Sequence, residues 1–174
     1  MSITAKDFAT VAHSGQFRKG IEQQPYTVHL AEVAATVAEF GGTPDAVAAA
    51  WLHDTVEDCG TSPDEISAIF GPTVAALVAE LTDDKSLQKA DRKRLQIVNA
   101  AHKSSDAALI KICDKMSNAR AVGMSPPVHW PVARQVAYLD WAESVVAALP
   151  PGWSNARVAF SAQVVQSRAQ IAKR

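Results

Sequence analysis

An all-α fold is what this sequence predicts, on three observations. Apolar residues recur every three or four positions through most of the chain, proline and glycine cut that pattern into short segments, and no stretch alternates as a half-buried strand does. The composition agrees: 48% of the 174 residues are hydrophobic but only 6% are aromatic, and abundant alanine and valine suit close helix packing better than a β-sandwich. This length supplies one compact core. A single domain spanning 1–174 is expected, with its core at 5–150 and a C-terminal helical extension at 151–174.

The elements follow in order. Ala5 to about Arg18 has helical spacing, and Gly20 to Pro25 is a turn-rich break. From Thr27 the apolar residues Val28, Leu30, Val33, Ala34, Val37 and Phe40 mark a helix that Gly41-Gly42 ends. Thr43-Pro44-Asp45 offers a cap, a proline at the first helical position and an acid in the first turn. The helix it opens is expected to run through Trp51 into His53–Asp58. Ser62-Pro63-Asp64-Glu65 is a capping box, and Gly71-Pro72 separates that helix from the next, Thr73 to Leu81. A charged segment from Asp83 to Arg94 leads into Ile97 and Val98. Ser104-Ser105-Asp106 opens a helix through Leu109, Ile110, Ile112, Cys113 and Met116. Met124 to Pro131 is a loop, and two amphipathic stretches, Val132–Leu149 and Ser154–Lys173, flank Pro150-Pro151-Gly152.

A formal net charge of −1 provides no global field toward nucleic acid or anionic lipid, so neither is expected as a partner. No apolar run approaches the roughly 20 residues that span a bilayer, and the first residues lack signal-peptide order. Cys59 and Cys113 have no paired spacing, as expected of reduced thiols in a cytoplasmic protein.

One polar cluster interrupts this apolar pattern. Ala46 to Leu52 is almost wholly apolar, and His53, Asp54, Glu57 and Asp58 follow at once. On a continuous helix they fall within roughly 140° of arc and share one face. Three carboxylates buried together call for a cation, and imidazole beside carboxylate suits Mn, Fe, Zn or Mg better than a thiolate site would. Spacing alone leaves a second reading open, in which the helix simply reaches solvent at His53.

Several segments resemble, in order, the HD-domain hydrolase half of the RelA/SpoT stringent-response enzymes. The likeness is greatest to the small alarmone hydrolases of the metazoan SpoT homologue type. These segments are Ala12-His13-Ser14-Gly15-Gln16-Phe17-Arg18-Lys19, Pro25-Tyr26-Thr27-Val28-His29, Trp51-Leu52-His53-Asp54-Thr55-Val56-Glu57-Asp58, Thr82 to Leu87 with Lys89 and Arg92 to Gln96, Ile110 to Asn118, and Arg134 to Trp141. Leu30 stands where the family usually has proline, Cys59 where it has threonine, and Ser117 where it has an aromatic residue or histidine.

The resemblance implies an HD-domain helical bundle that holds one Mn²⁺ on His29, His53, Asp54 and Asp114. Glu57 and Asp58 would be the acid–base pair. Arg18, Lys19, Lys89, Asn118, Arg134 and Tyr138 would contact the nucleotide substrate. The implied reaction is hydrolysis of the 3′-diphosphate of (p)ppGpp to GDP or GTP and pyrophosphate. A chain of this length is expected to stand alone, without the synthetase and regulatory domains of the long enzymes. A homodimer is left open. The same site could serve (p)ppApp, or act as an NADPH 2′-phosphatase, and a non-catalytic alarmone sensor is the alternative outside enzymes. Residue by residue the plain alternatives are an exposed basic helix end for Arg18 and Lys19, a solvated face for Lys89, and a core position for Tyr138. His13 is expected to pack or support the site, and His102 and His129 to lie at the surface.

Overall fold

A computed structural model describes residues 3–174 as a bundle of helices. In chain order these are α1 (Ala5–Ala12), α2 (Tyr26–Glu39), α3 (Pro44–Leu52), α4 (Thr55–Cys59), α5 (Pro63–Phe70), α6 (Pro72–Leu81), α7 (Lys89–Val98), α8 (Ser105–Met124), α9 (Val132–Ala148) and α10 (Ser154–Ile171), with a 3₁₀ turn at Ala100–His102. No strand occurs among the described residues. Isolated bridges pair Phe17 with Pro25 and Gly20 with Pro127.

The start signals act as their chemistry dictates. The hydroxyls of Thr43, Ser62 and Ser104 accept from the backbone N–H of Ala46, Glu65 and Ala107, and Pro44 and Pro63 occupy first-turn positions. Each cap satisfies a backbone donor that has no partner within its helix.

The central element is α8, buried continuously from Ala107 to Ser117. It packs against α2, α3, α6, α9 and α10, so that even its polar residues Lys111, Asp114, Lys115 and Ser117 are buried. One hydrophobic cluster extends from Ala9 to Ile171. Helix α10 lies so near α8 at Gly123 that an added Cβ would be 2.8 Å from Ser167 Cα. Only glycine permits that contact.

Two boundaries differ from expectation. Helix α1 ends at Ala12 rather than near Arg18. Residues 16–26 form a loop closed by Arg18 N–H to Gln24 O at 2.8 Å and Tyr26 N–H to Gln16 O at 2.9 Å, so Arg18 is not the end of a helix. The second correction concerns the polar run. Helix α3 stops at Leu52, and α4 begins only at Thr55. His53 Nδ1 bonds Ala50 O at 2.8 Å and Thr55 Oγ1 donates to Leu52 O at 2.7 Å. Side chains thus take carbonyls that an unbroken helix would give to backbone N–H groups. His53, Asp54, Glu57 and Asp58 therefore do not lie on one continuous helical face.

Candidate active site

Two helices and one turn supply the site. His29 comes from α2, Asp114 from α8, and His53 and Asp54 from the α3–α4 turn. His29, His53 and Asp114 each offer a ligand atom within 4.8 Å of the others. His53 Nε2 lies 3.2 Å from Asp54 Oδ2 and 4.0 Å from Asp114 Oδ1; His29 Nε2 lies 3.8 Å and 3.5 Å from the same oxygens.

The donor chemistry fits a cation. His53 Nδ1 faces a carbonyl oxygen and must carry the hydrogen of a neutral ring, so Nε2 presents a lone pair. That buried Nε2 has no hydrogen-bond partner. Burial, followed by the neighbouring His53, lowers the pKa of His29 to about 3 and keeps that ring neutral. Lone pairs of two imidazoles thus face two carboxylate oxygens. Without a positive charge between them this arrangement is repulsive, and a divalent ion resolves it.

The carboxylates are held in fixed orientations. Tyr26 Oη donates to Asp54 Oδ2 at 2.6 Å. Burial raises the Asp54 pKa, but His53 and His29 outweigh it and the net direction is down. Asp114 divides its oxygens. Oδ1 faces the histidines and accepts from Asn118 Nδ2 at 2.6 Å, while Oδ2 meets Lys115 Nζ at 3.1 Å and Lys111 Nζ at 3.8 Å. Burial pushes this carboxyl up, yet Lys115 and Lys111 hold it well below the usual carboxylate range.

Glu57 accepts from the Asp83 N–H at 3.3 Å and from Arg92 Nη1 at 3.4 Å. Its pKa is raised, by burial first and then by Asp83. Asp58 is more exposed and pairs with Lys85. A cavity of about 490 Å³ brings Asp54, Glu57, Asp58 and Asp114 together with Lys19, Lys89, Asn118, Arg134 and Tyr138. An adjoining cavity of about 400 Å³ shares Lys19, Tyr26, Asn118, Trp130 and Tyr138 with it and adds Arg18 and Glu32.

The contacts at these walls are specific. Arg134 lies 4.6 Å from the Trp130 ring centroid, and Lys89 lies 5.9 Å from it. Tyr138 packs against both Trp130 and Trp141. Arg18 is tied back, its guanidinium donating to Glu32 and Asn118. His13 stacks on Tyr26, while His102 and His129 are exposed.

The residue profile of the HD domain matches residues 5–139. The chain belongs to the HD-domain family. Within it, the chain is 44% identical over 149 residues to the human guanosine-3′,5′-bis(diphosphate) 3′-pyrophosphohydrolase MESH1, covering 84% of this chain and 83% of that protein. The Drosophila melanogaster enzyme of the same name is 42% identical over 141 residues, covering 80% and 79%. The solved structure of a metazoan orthologue of SpoT that hydrolyses ppGpp superposes with a TM-score of 0.89 at 37% identity, covering 93% of this chain and 92% of that one. No helix among the described residues is long and apolar enough to cross a membrane.

Sequence reading missed several neighbours of this HD-domain site. Lys111 and Lys115 are buried charges flanking Asp114 in an apolar helix, and that pattern alone signalled a paired carboxylate. Tyr26 is one helical turn before His29, a spacing that places both on one side of α2. Glu32, Arg92 and Trp141 carried no such local signal.

Proposed function

We propose that this chain is a Mn²⁺-dependent phosphohydrolase that removes the 3′-diphosphate of guanosine alarmones, (p)ppGpp, as pyrophosphate. His29, His53, Asp54 and Asp114 hold the ion, and their imidazole–carboxylate chemistry suits Mn²⁺. One observation carries the reading: these donors share a cavity with Lys19, Lys89 and Arg134, three cations with no ion-pair partner among the described residues. Burial and then Arg134, Lys19 and Arg92 depress the Lys89 pKa, as expected of an anion site awaiting phosphate. The chain's likeness to guanosine-3′,5′-bis(diphosphate) 3′-pyrophosphohydrolases supports the same reading.

The bound ion supplies Lewis-acid stabilisation of phosphoryl oxygen and lowers the pKa of water. Glu57, kept above the ordinary carboxylate range, accepts the proton of the attacking water. Water oxygen bonds to the phosphorus on the 3′ oxygen, the bond from that phosphorus to the 3′ oxygen breaks, and the collected proton neutralises the 3′ oxygen. Asp58 shares the proton handling. Lys19, Lys89 and Arg134 neutralise the phosphates, with Asn118, Arg18 and Tyr138 lining the nucleoside side. Formal net charge −1 supports a small-molecule partner over nucleic acid, and two free thiols support a reducing, cytoplasmic setting. Residues 5–150 and the helix that follows act as one folding unit, a reading supported by their common hydrophobic cluster.

The test is to offer Mn²⁺-loaded protein ppGpp, pppGpp, ppApp and NADPH, and to measure pyrophosphate and orthophosphate separately. Pyrophosphate is expected from the guanosine alarmones. Orthophosphate from NADPH alone would assign a 2′-phosphatase, and tight ppGpp binding without turnover would assign a sensor.

A further inference from the structure

Two side chains outside the ligand set stand behind His29. Ser117, on α8, has its Oγ 2.9 Å from His29 Nδ1 and donates to Glu32 Oε2 at 2.6 Å. Glu32 is on α2, one turn beyond His29, and the same Oε2 lies 3.4 Å from Arg18 Nη1. Arg18 also donates to Ser117 Oγ at 3.3 Å and to the Ser117 carbonyl at 3.4 Å. Ser117 is buried, and its single hydroxyl hydrogen can serve only one of its two close neighbours.

That restriction decides the direction of every bond. If the hydroxyl donated to His29, its oxygen and the Glu32 carboxylate would be two acceptors facing each other at 2.6 Å. With the hydrogen directed at Glu32, the hydroxyl oxygen offers lone pairs to His29 Nδ1–H and to Arg18, and every contact is a hydrogen bond. The imidazole is then protonated on Nδ1, and its Nε2 lone pair points at the space between Asp54 and Asp114.

We infer that Ser117 and Glu32 are positioning residues that fix the tautomer and ring orientation of His29 as a metal ligand. A carboxylate behind a ligating histidine strengthens the imidazole as a donor; here the hydroxyl relays that influence. Ser117 is also where this chain departs from the aromatic or histidine of the family it resembles, so the relay is assembled from this chain's own residues. Because Arg18 closes the network and lines the adjoining cavity, one hydrogen-bonded chain joins the wall of that cavity to the metal centre. The inference rests on His29 being a ligand.

The experiment is Mn²⁺ titration of the metal-free protein, with no nucleotide present. Ser117→Ala should weaken Mn²⁺ binding by roughly 10-fold or more, and Ser117→Thr, which keeps the hydroxyl, should restore it. Glu32→Gln should weaken it in the same direction but less. Unchanged affinity in Ser117→Ala overturns the inference, as does equal weakening in Ser117→Thr, which would mark a packing role. Nitrogen NMR of the metal-free wild-type protein tests the same point without substitution: hydrogen on His29 Nδ1 supports it, and hydrogen on Nε2 overturns it. A protein that passes these tests yet leaves ppGpp intact would refute the alarmone reading alone.

Discussion

Asp54 Oδ2 accepts the phenol hydrogen of Tyr26 at 2.6 Å while lying 3.2 Å from His53 Nε2. The phenol thereby sets which way the carboxylate faces. In Tyr26→Phe the ring can keep its stack on His13, whose centroid is 5.0 Å away, so packing survives and orientation is lost. Mn²⁺ affinity is expected to fall by about 10-fold, the loss typical of removing a partner behind a ligand. Calorimetric titration checks it, with the melting temperature of the metal-free variant close to that of the wild type.

Glu57 and Asp54 separate proton transfer from metal binding. Glu57→Gln should retain Mn²⁺ and slow turnover by roughly 100-fold or more, whereas Asp54→Ala should lose ion and activity together. Burial and Asp83 raise the Glu57 pKa, and the base must be ionised to act. The acid limb of kcat/KM should therefore fall with a midpoint above the ordinary glutamate value of 4.5. A pH–rate profile in which Glu57→Gln lacks that limb is the expected result.

Lys115→Met should be costly although the lysine is not itself a ligand. Leaving a buried charge unpaired costs about 3–5 kcal/mol, and the loss here should be smaller because Lys111 still faces Asp114. Asp114 has a depressed folded pKa, so its stabilising contribution is present above the ordinary value of 3.8 and is lost as pH falls through the lower folded value. Acid unfolding of Lys115→Met should accordingly show a weaker pH dependence in that range. Denaturant melts across acidic pH measure both effects.

Chelation should destabilise the protein and Mn²⁺ should restore it. An ion that binds only the folded state contributes about 2.7 kcal/mol at a free concentration 100 times its Kd. Thermal melts in chelator and in Mn²⁺ should differ for the wild type and coincide for Asp54→Ala.

Lys103 supplies a test outside the ligand set. Burial, followed by the nearby Lys111, lowers its pKa from 10.5 to about 8. The unfolded chain binds the extra proton between those values, so this group makes stability rise with pH from about 8 toward 10.5. Cys113, raised to about 12 by burial, acts in the opposite sense above its ordinary value of 9.0. Comparing wild type with Lys103→Met isolates the lysine: the difference in urea midpoint should change across this interval.

Much of the molecule was legible because its signals are local. Thr43, Ser62 and Ser104 announce helix starts through hydroxyls that need only a backbone N–H three residues away. The grouping of His53 with Glu57 and Asp58 was visible as polarity breaking an apolar run. The break between α3 and α4 was not, because it depends on where the His53 ring and the Thr55 hydroxyl turn, and both satisfy carbonyls that a helix would otherwise use. Nor could spacing show that Arg18 returns to Glu32 and Asn118, since that contact requires the loop at 16–26 to close on α8. Lys111 and Lys115 sat in plain view beside Asp114, but their purpose appears only when both carboxylate oxygens are traced.

The contact between Gly123 and Ser167 has a consequence for any survey of damaging substitutions. A methyl group at Gly123 would act as a wedge between α8 and α10, and Asp114 rides on the same rod, nine positions earlier. Displacement at Gly123 would thus be felt at a ligand that the altered residue never touches. Loss of turnover in such a variant would mimic an active-site lesion, although no ligand or acid–base residue had changed.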